Sequence, residues 1–349
     1  MAADRKQKKT TRRPRNNNNA TVEEDEPNRQ PTQKKLAARR GNNFSPGALE
    51  QAHVFVKWAK DLGIDGLGNL FQHQLRTQRP PSRPAPSWEQ NQDKNRYQDV
   101  VCLEETRIRL DKEQPQETDY IHANRISLPD HDRTYIMTQA PMDNTIIDFW
   151  RMVVQERAPV IVNLCKSVQY WPQNEGETRI FGRFSILLKK KDMEDRDRLG
   201  VYVLEILQEG CAESHITRLV HSTAWTDEGG IADTAKHVLR CIKKMFEADT
   251  VAKDLPYVLH CMAGIGRTGT VVLTDYTLYR IFTLAKSHSL LDTFVQLREQ
   301  RASTVQKEAQ FVQAVVAIAL YCSLATRDPV VIGWTEDLEK NFKLKYGRN

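Results

Sequence analysis

The stretch from Tyr257 to Gly269 constrains the chain more than any other. Tyr257-Val258-Leu259-His260 reads as a short strand, Cys261 to Arg267 as a glycine-containing loop, and Thr268 to about Ala285 as an apolar helix. A strand that passes through so short a loop into a helix belongs at the end of a sheet in an α/β domain. The loop is also an anion cradle. Backbone N–H groups of Met262, Ala263, Gly264, Ile265 and Gly266 can converge on one centre, and the following helix brings its positive end there. Arg267 can hold two phosphate oxygens in its planar fork. The same field favours the thiolate of Cys261, and Thr268 can donate its hydroxyl to the sulfur. A thiolate beside a bound phosphate has one chemical task, in-line attack on phosphorus.

The chain has six cysteines, at 102, 165, 211, 241, 261 and 322, and only Cys261 has an arginine six positions further on. Any one cysteine alone reads as a small buried hydrophobe. The preceding His260, the two glycines and the following Thr268-Gly269 make that reading a poor one for Cys261. His260-Cys261 has no second closely spaced ligand pair, and no C-x-x-C occurs, so neither a metal site nor a disulfide scaffold is expected.

Charge divides the chain. Residues 1–40 hold twelve Lys and Arg against five Asp and Glu, whereas the whole chain is only +6. The basic excess therefore belongs to the N-terminal segment, and no nucleic acid is expected on the near-neutral remainder. Residues 1–43, with four consecutive Asn and few apolar side chains, are expected to be a disordered basic tail. The cluster from Arg5 to Arg15 fits a nuclear localisation signal or, more plainly, a solubilising tail. Neither a signal peptide nor an uninterrupted apolar run of about 18 residues is found, so no transmembrane segment and a cytoplasmic location are expected.

A helix is predicted after Ser45, with Pro46 in its first turn and Leu49, Ala52, Val56 and Ala59 on one face. A second segment carries Leu67, Leu70, Phe71 and Leu75, before a connector with Pro80, Pro81, Pro84 and Pro86. Residues 44–90 thus read as N-terminal helices and a Pro-rich connector packing on a domain at 91–326, with 327–349 as a C-terminal tail. Within the domain, Ile146 to Val154 and Ala235 to Phe246 carry helical stripes, and Ala158 to Cys165 reads as a buried strand. Two more helices are predicted near Leu290 to Arg301 and Lys307 to Ala325. The expected fold is a single α/β domain with a central mixed, highly twisted sheet flanked by helices.

The stretch His260 to Gly269 resembles the signature H-C-S-A-G-x-G-R-T-G of the protein tyrosine phosphatases, with Met262 in place of Ser. The resemblance extends over roughly residues 50–325. Lys94-Asn95-Arg96-Tyr97-Gln98-Asp99-Val100 is similar to that family's phosphotyrosine-recognition loop, and Asp119 to Asn124 to its D-Y-I-N-A-N. Gln139-Ala140-Pro141, Asn144-Thr145, Phe149-Trp150 and Tyr170-Trp171-Pro172 follow in the family's order.

The resemblance implies hydrolysis of phosphotyrosine proteins through a phosphocysteine on Cys261, with no metal or cofactor. It makes Asp227, in Trp225-Thr226-Asp227, the general acid. An Asp in such surroundings reads by itself as a turn residue. Gln306 and Gln310 match the glutamines that position water and substrate, and mean nothing as a bare pair. Tyr97 would wall a cleft as deep as phosphotyrosine is long, and Asp99 would anchor the substrate backbone; outside the resemblance Tyr97 is an ordinary half-buried tyrosine.

Departures are expected to matter. Thr226 replaces the acid-loop proline, Gly230-Ile231 stand for Val-Pro, Lys307 replaces a Thr, and the chain is short between Cys165 and Tyr170. A freer acid loop closes less often, which lowers the rate. The alternative is therefore a weakly active or inactive module of this fold that binds phosphotyrosine proteins. A monomer is expected.

Overall fold

A computed structural model describes residues 44–78, 84–166, 169–194, 198–225, 230–251, 254–286 and 290–347. The expected tail at 1–43 lies outside them, as do Pro80 and Pro81. The strands are β1 (Arg107–Arg109), β2 (Tyr120–Ser127), β3 (Thr134–Gln139), β4 (Val160–Asn163), β5 (Thr178–Phe181), β6 (Phe184–Glu194), β7 (Leu199–Gln208), β8 (His215–Ser222) and β9 (Tyr257–Cys261). The helices are α1 (Pro46–Leu70), α2 (Pro86–Gln90), α3 (Ile146–Gln155), α4 (Ala235–Ala248), α5 (Gly266–Phe282), α6 (Leu290–Gln300), α7 (Glu308–Thr326) and α8 (Pro329–Tyr346).

All nine strands form one mixed sheet in the order β1-β2-β3-β9-β4-β8-β7-β6-β5. Its centre, β3-β9-β4-β8, is parallel, and antiparallel strands extend it on both sides. Parallel strands are stable when both faces are covered. One face packs α1 and α4 to α8 over Met137, Val162, Leu259 and Val220. The other packs Phe149, Trp150 and Val153 of α3, with Tyr170 and Trp171, over Ile136, Ile161 and Val258. Consecutive residues of β9 enter opposite cores, which is the strand period at work. Its last residue, Cys261, therefore emerges at the carboxyl edge of the parallel centre, where open α/β sheets bind ligands.

The helices begin where local chemistry requires. Ser45 caps α1 by accepting the Ala48 N–H at 3.2 Å, with Pro46 in the first turn. Gly63, at φ +63°, interrupts that helix and lets the apolar stripe restart, so both predicted segments belong to one bent element. A π-turn, Phe71–Leu75, ends it.

Three findings go beyond or against the sequence reading. The β5–β6–β7 ribbon is absent from it. Only the first half of β6 alternates in burial, and Lys189 to Asp192 are exposed, so period-2 patterning is weak there. Residues 327–349, read as a tail, carry α8. Asp328 caps it through the Val330 N–H at 2.8 Å, and Val331, Thr335, Leu338 and Phe342 repeat at helical spacing into the core. Finally, α7 is long and apolar enough by composition to cross a membrane, although no uninterrupted apolar run exists. Its first and second turns carry Gln310 and Gln313, and it packs centrally against α1, α4, α5 and α8.

Candidate active site

Cys261 ends β9 and α5 starts at Gly266, so the predicted strand–loop–helix is present. No side chain caps α5 at Ile265. A helix start whose N-cap residue supplies no acceptor suits an anion. Gly264 has φ +66°, and a Cβ there would lie 1.9 Å from the Thr138 carbonyl oxygen. Only glycine lets the loop press against β3 at that point. The loop is tied to that strand by the Ala140 N–H, which donates to Met262 O at 3.0 Å.

A fully buried arginine holds the loop from beneath. Arg301 donates through Nε to Gly264 O at 2.7 Å and through Nη2 to Ala263 O at 2.9 Å. With those carbonyls turned down to a cation, the amides between them are free to face the other way. Its Nη1 reaches Asn124 Oδ1 at 2.7 Å. The sequence reading did not assign Arg301. It stands in the polar run Arg298-Glu299-Gln300-Arg301, which patterning treats as surface.

His260 is fully buried and has two partners, the Tyr170 hydroxyl on Nε2 at 2.6 Å and Cys261 O on Nδ1 at 3.4 Å. Burial pushes its pKa down to about 3. The ring is neutral, and with its proton on Nδ1 it donates to Cys261 O while accepting from Tyr170. Phe149 stacks edge-on against Tyr170, with centroids 4.8 Å apart, and so braces this pair. The expected Thr268–sulfur hydrogen bond is not formed. The Thr268 hydroxyl is buried and has no hydrogen-bond partner among the described residues. Arg267 is buried, and its Nη1 donates to Leu164 O at 3.1 Å, beyond the end of β4. Burial also pushes the Cys102 thiol up to about 11, which keeps it protonated.

The segment carrying Tyr97 and Asp99 is held at its root. The Arg96 N–H donates to Gln139 Oε1 at 2.9 Å, Gln139 Nε2 donates to Lys94 O at 2.7 Å, and Arg96 Nη2 donates to Pro141 O at 2.9 Å. His122 Nε2 meets Val100 O at 2.9 Å. Tyr97 and Asp99 themselves are exposed. Anchored roots under exposed tips suit a recognition wall.

Opposite stands the segment before α7. Gln310 Oε1 accepts from the Gln306 and Lys307 N–H groups, both at 3.0 Å, and its Nε2 donates to Gly230 O at 3.2 Å. Gln310 thus clamps two loops with its amide. Gln313 repeats the device one turn on, with Ala232 N–H to Oε1 at 2.7 Å and Nε2 to Ala232 O at 2.6 Å. Trp225 and Ala232 pair as an antiparallel bridge on either side of the expected acid, Asp227. Thr226 and Asp227 lie outside the described residues. Gly230, at φ +64°, occupies backbone that a Val, which it replaces in the family pattern, would resist.

These segments enclose a cleft of about 570 Å³ that is lined by Tyr97, Asp99, Cys261, Arg267, Gln306 and Gln310 together with Met262, Ala263 and Gly266. Gly264 and Ile265 are buried beneath it. A thiol, a guanidinium, the loop backbone and an aromatic side chain meet in one space. Among the described residues, no cluster of His, Cys, Asp and Glu could hold a metal ion.

The cleft lies at the carboxyl edge of a mixed α/β sheet and joins a thiol to a guanidinium. A family described as Protein-tyrosine phosphatase matches residues 91–320, and the chain belongs to that family. It is 36% identical to Tyrosine-protein phosphatase 3 of Dictyostelium discoideum over 64% of this chain and 24% of that protein. It is 30% identical to human Tyrosine-protein phosphatase non-receptor type 12, over 64% of this chain and 29% of the relative. Rat Tyrosine-protein phosphatase non-receptor type 20 is 29% identical over 66% of this chain and 55% of its own length. The chain thus spans between a quarter and little more than half of these relatives.

Proposed function

We propose that the chain hydrolyses phosphotyrosine in proteins through a phosphocysteine intermediate. The observation that carries this reading is the shared cleft of Cys261, Arg267, Gln306 and Tyr97, which come from three separate segments. The Cys261 thiolate attacks phosphorus while Arg267 and the loop amides hold the non-bridging oxygens. The P–O(aryl) bond breaks, and Asp227 gives its carboxyl proton to the leaving phenolate. Gln306 then orients a water on the phosphocysteine. Water oxygen bonds to phosphorus, the P–S bond breaks, and the water proton goes to the Asp227 carboxylate, with inorganic phosphate and thiolate as products. Tyr97 and Asp99 select a phosphorylated aromatic ring, since a phosphoserine in a cleft of that depth would fall short of Cys261. Phosphotyrosine proteins inside the cell are the substrate class.

Gly230 favours keeping a second reading, a slow phosphatase that mainly captures phosphotyrosine. Its positive φ marks an acid-loop hinge built differently from the family pattern. One assay separates the two. Steady-state hydrolysis of a small aryl phosphate and a phosphotyrosine peptide is expected to be lost in Cys261→Ser while peptide binding persists, because the phosphate contacts come from Arg267 and backbone. Activity of Cys261→Ser within about tenfold of wild type overturns the nucleophile. Wild-type turnover at the Cys261→Ser background leaves capture as the function.

A further inference from the structure

The first turn of α7 is held from two sides. Gln306, Lys307 and Gln310 face the cleft. Glu308, between them, reaches the opposite way. Its Oε2 accepts from Gln72 Nε2 of the π-turn at 2.7 Å, and its Oε1 takes the Tyr346 hydroxyl and the Lys345 ammonium, the latter at 3.2 Å. Lys345 also pairs with Asp65 of α1 at 2.9 Å. Packing adds an independent sign that Glu308 is meant to be there. A Cβ on Gly68 would lie 2.5 Å from Glu308 Oε1, so a side chain there would have to displace this carboxylate. Glu308 also stands in the first turn of α7, where a negative charge meets the positive helix end. The last turn of α8 and the water-handling glutamines are therefore joined through one side chain.

We propose that Glu308 is a positioning residue for Gln306 and Gln310, held in place by the C-terminal helix through Tyr346 and Lys345. The inference rests on the phosphocysteine reading, in which Gln306 orients the water. It assigns α8 a role in the second half-reaction. Transfer to Cys261 uses the loop and Arg267, which the latch does not touch. Hydrolysis of the phosphocysteine uses the segment that it holds.

The test is rapid-mixing kinetics on the full chain with an activated aryl phosphate, following phenol release, inorganic phosphate and acid-quenched phosphoenzyme. Glu308→Ala is expected to leave first-turnover phenol release within about twofold while phosphate release falls about tenfold, a scale set by small misplacement of an orienting group. Phosphocysteine then accumulates. Glu308→Gln, which keeps the hydrogen bonds, is expected to restore most of the rate. Tyr346→Phe is expected to show the same pattern more weakly, and with Lys345→Met it decides the matter should Glu308→Ala not fold. Unchanged phosphate release in folded Glu308→Ala overturns the proposal, and so does an equal fall in both half-reactions. Turnover that survives Cys261→Ser is a separate failure, of the phosphatase reading itself.

Discussion

Gly264 and Arg301 show how little of a phosphate loop lies in the residues that face the phosphate. At Gly264 a side chain would need left-handed backbone, about 1–2 kcal/mol, and would strike the Thr138 carbonyl, which cannot move aside. Gly264→Ala is expected to lower the urea midpoint and to abolish phosphopeptide binding together. Arg301→Met takes the donors from the buried Gly264 carbonyl and the half-buried Ala263 carbonyl. A loss of about 3 kcal/mol in unfolding free energy is expected, with a fall in kcat/KM larger than that in Arg301→Lys. Burial pulls the Arg301 pKa down while the Cys102 and Cys261 thiols push it back. The decapeptide was legible because its residue types are unusual at their spacing. Arg301 was not, because a buried arginine is recognised by the carbonyls above it, and these come from a segment 37 positions away.

Among the elements, glutamines on α7 hold Gly230 and Ala232, which follow the proposed acid Asp227 in the chain. Gln313 holds Ala232 by two hydrogen bonds and Gln310 holds Gly230 by one. If Asp227 is the acid, Asp227→Asn removes the basic limb of the pH–rate profile, and its cost is large for a poor phenol leaving group and small for an activated one. An equal cost for both excludes protonation as its role. Thr226→Pro is expected to raise kcat without changing phosphopeptide affinity, since it restricts the open loop but touches no phosphate contact. Gln313→Ala should do the opposite, lowering kcat by freeing the loop's far end. Equal kcat in both variants and wild type would mean that closure does not limit the rate.

For the whole molecule, two buried histidines set an acid limit. Burial pushes both His122 and His260 down to about 3, with the Arg301 charge adding to the effect at His122. Above their unfolded value near 6.5, both are neutral in either state. As pH falls below it, the unfolded chain takes up protons that the folded chain refuses, so stability declines until the folded values are reached. Between pH 7 and 5 the loss is expected to be about 2 kcal/mol for each histidine. Urea midpoints measured across that interval check it. His215 and His221, which burial also lowers, add to the slope, and His260→Gln should flatten it by its own share, whatever it does to the level at pH 7.

The sequence by itself determined the segments whose information is local. The strand, loop and helix around Cys261, the cap at Ser45, the stripes of α3 and α4, and the basic excess of residues 1–40 all follow from neighbouring side chains. The helical spacing of Val331, Leu338 and Phe342 was equally local, so the reading of 327–349 as a tail overlooked a pattern that was present. Tertiary structure alone decided which distant segments share the cleft, that Arg301 holds the loop from below, and that Glu308 ties the last turn of α8 to the glutamines. The physical reason is that burial and hydrogen-bond partnership belong to pairs of residues far apart in the chain. Propensity and periodicity describe one segment at a time.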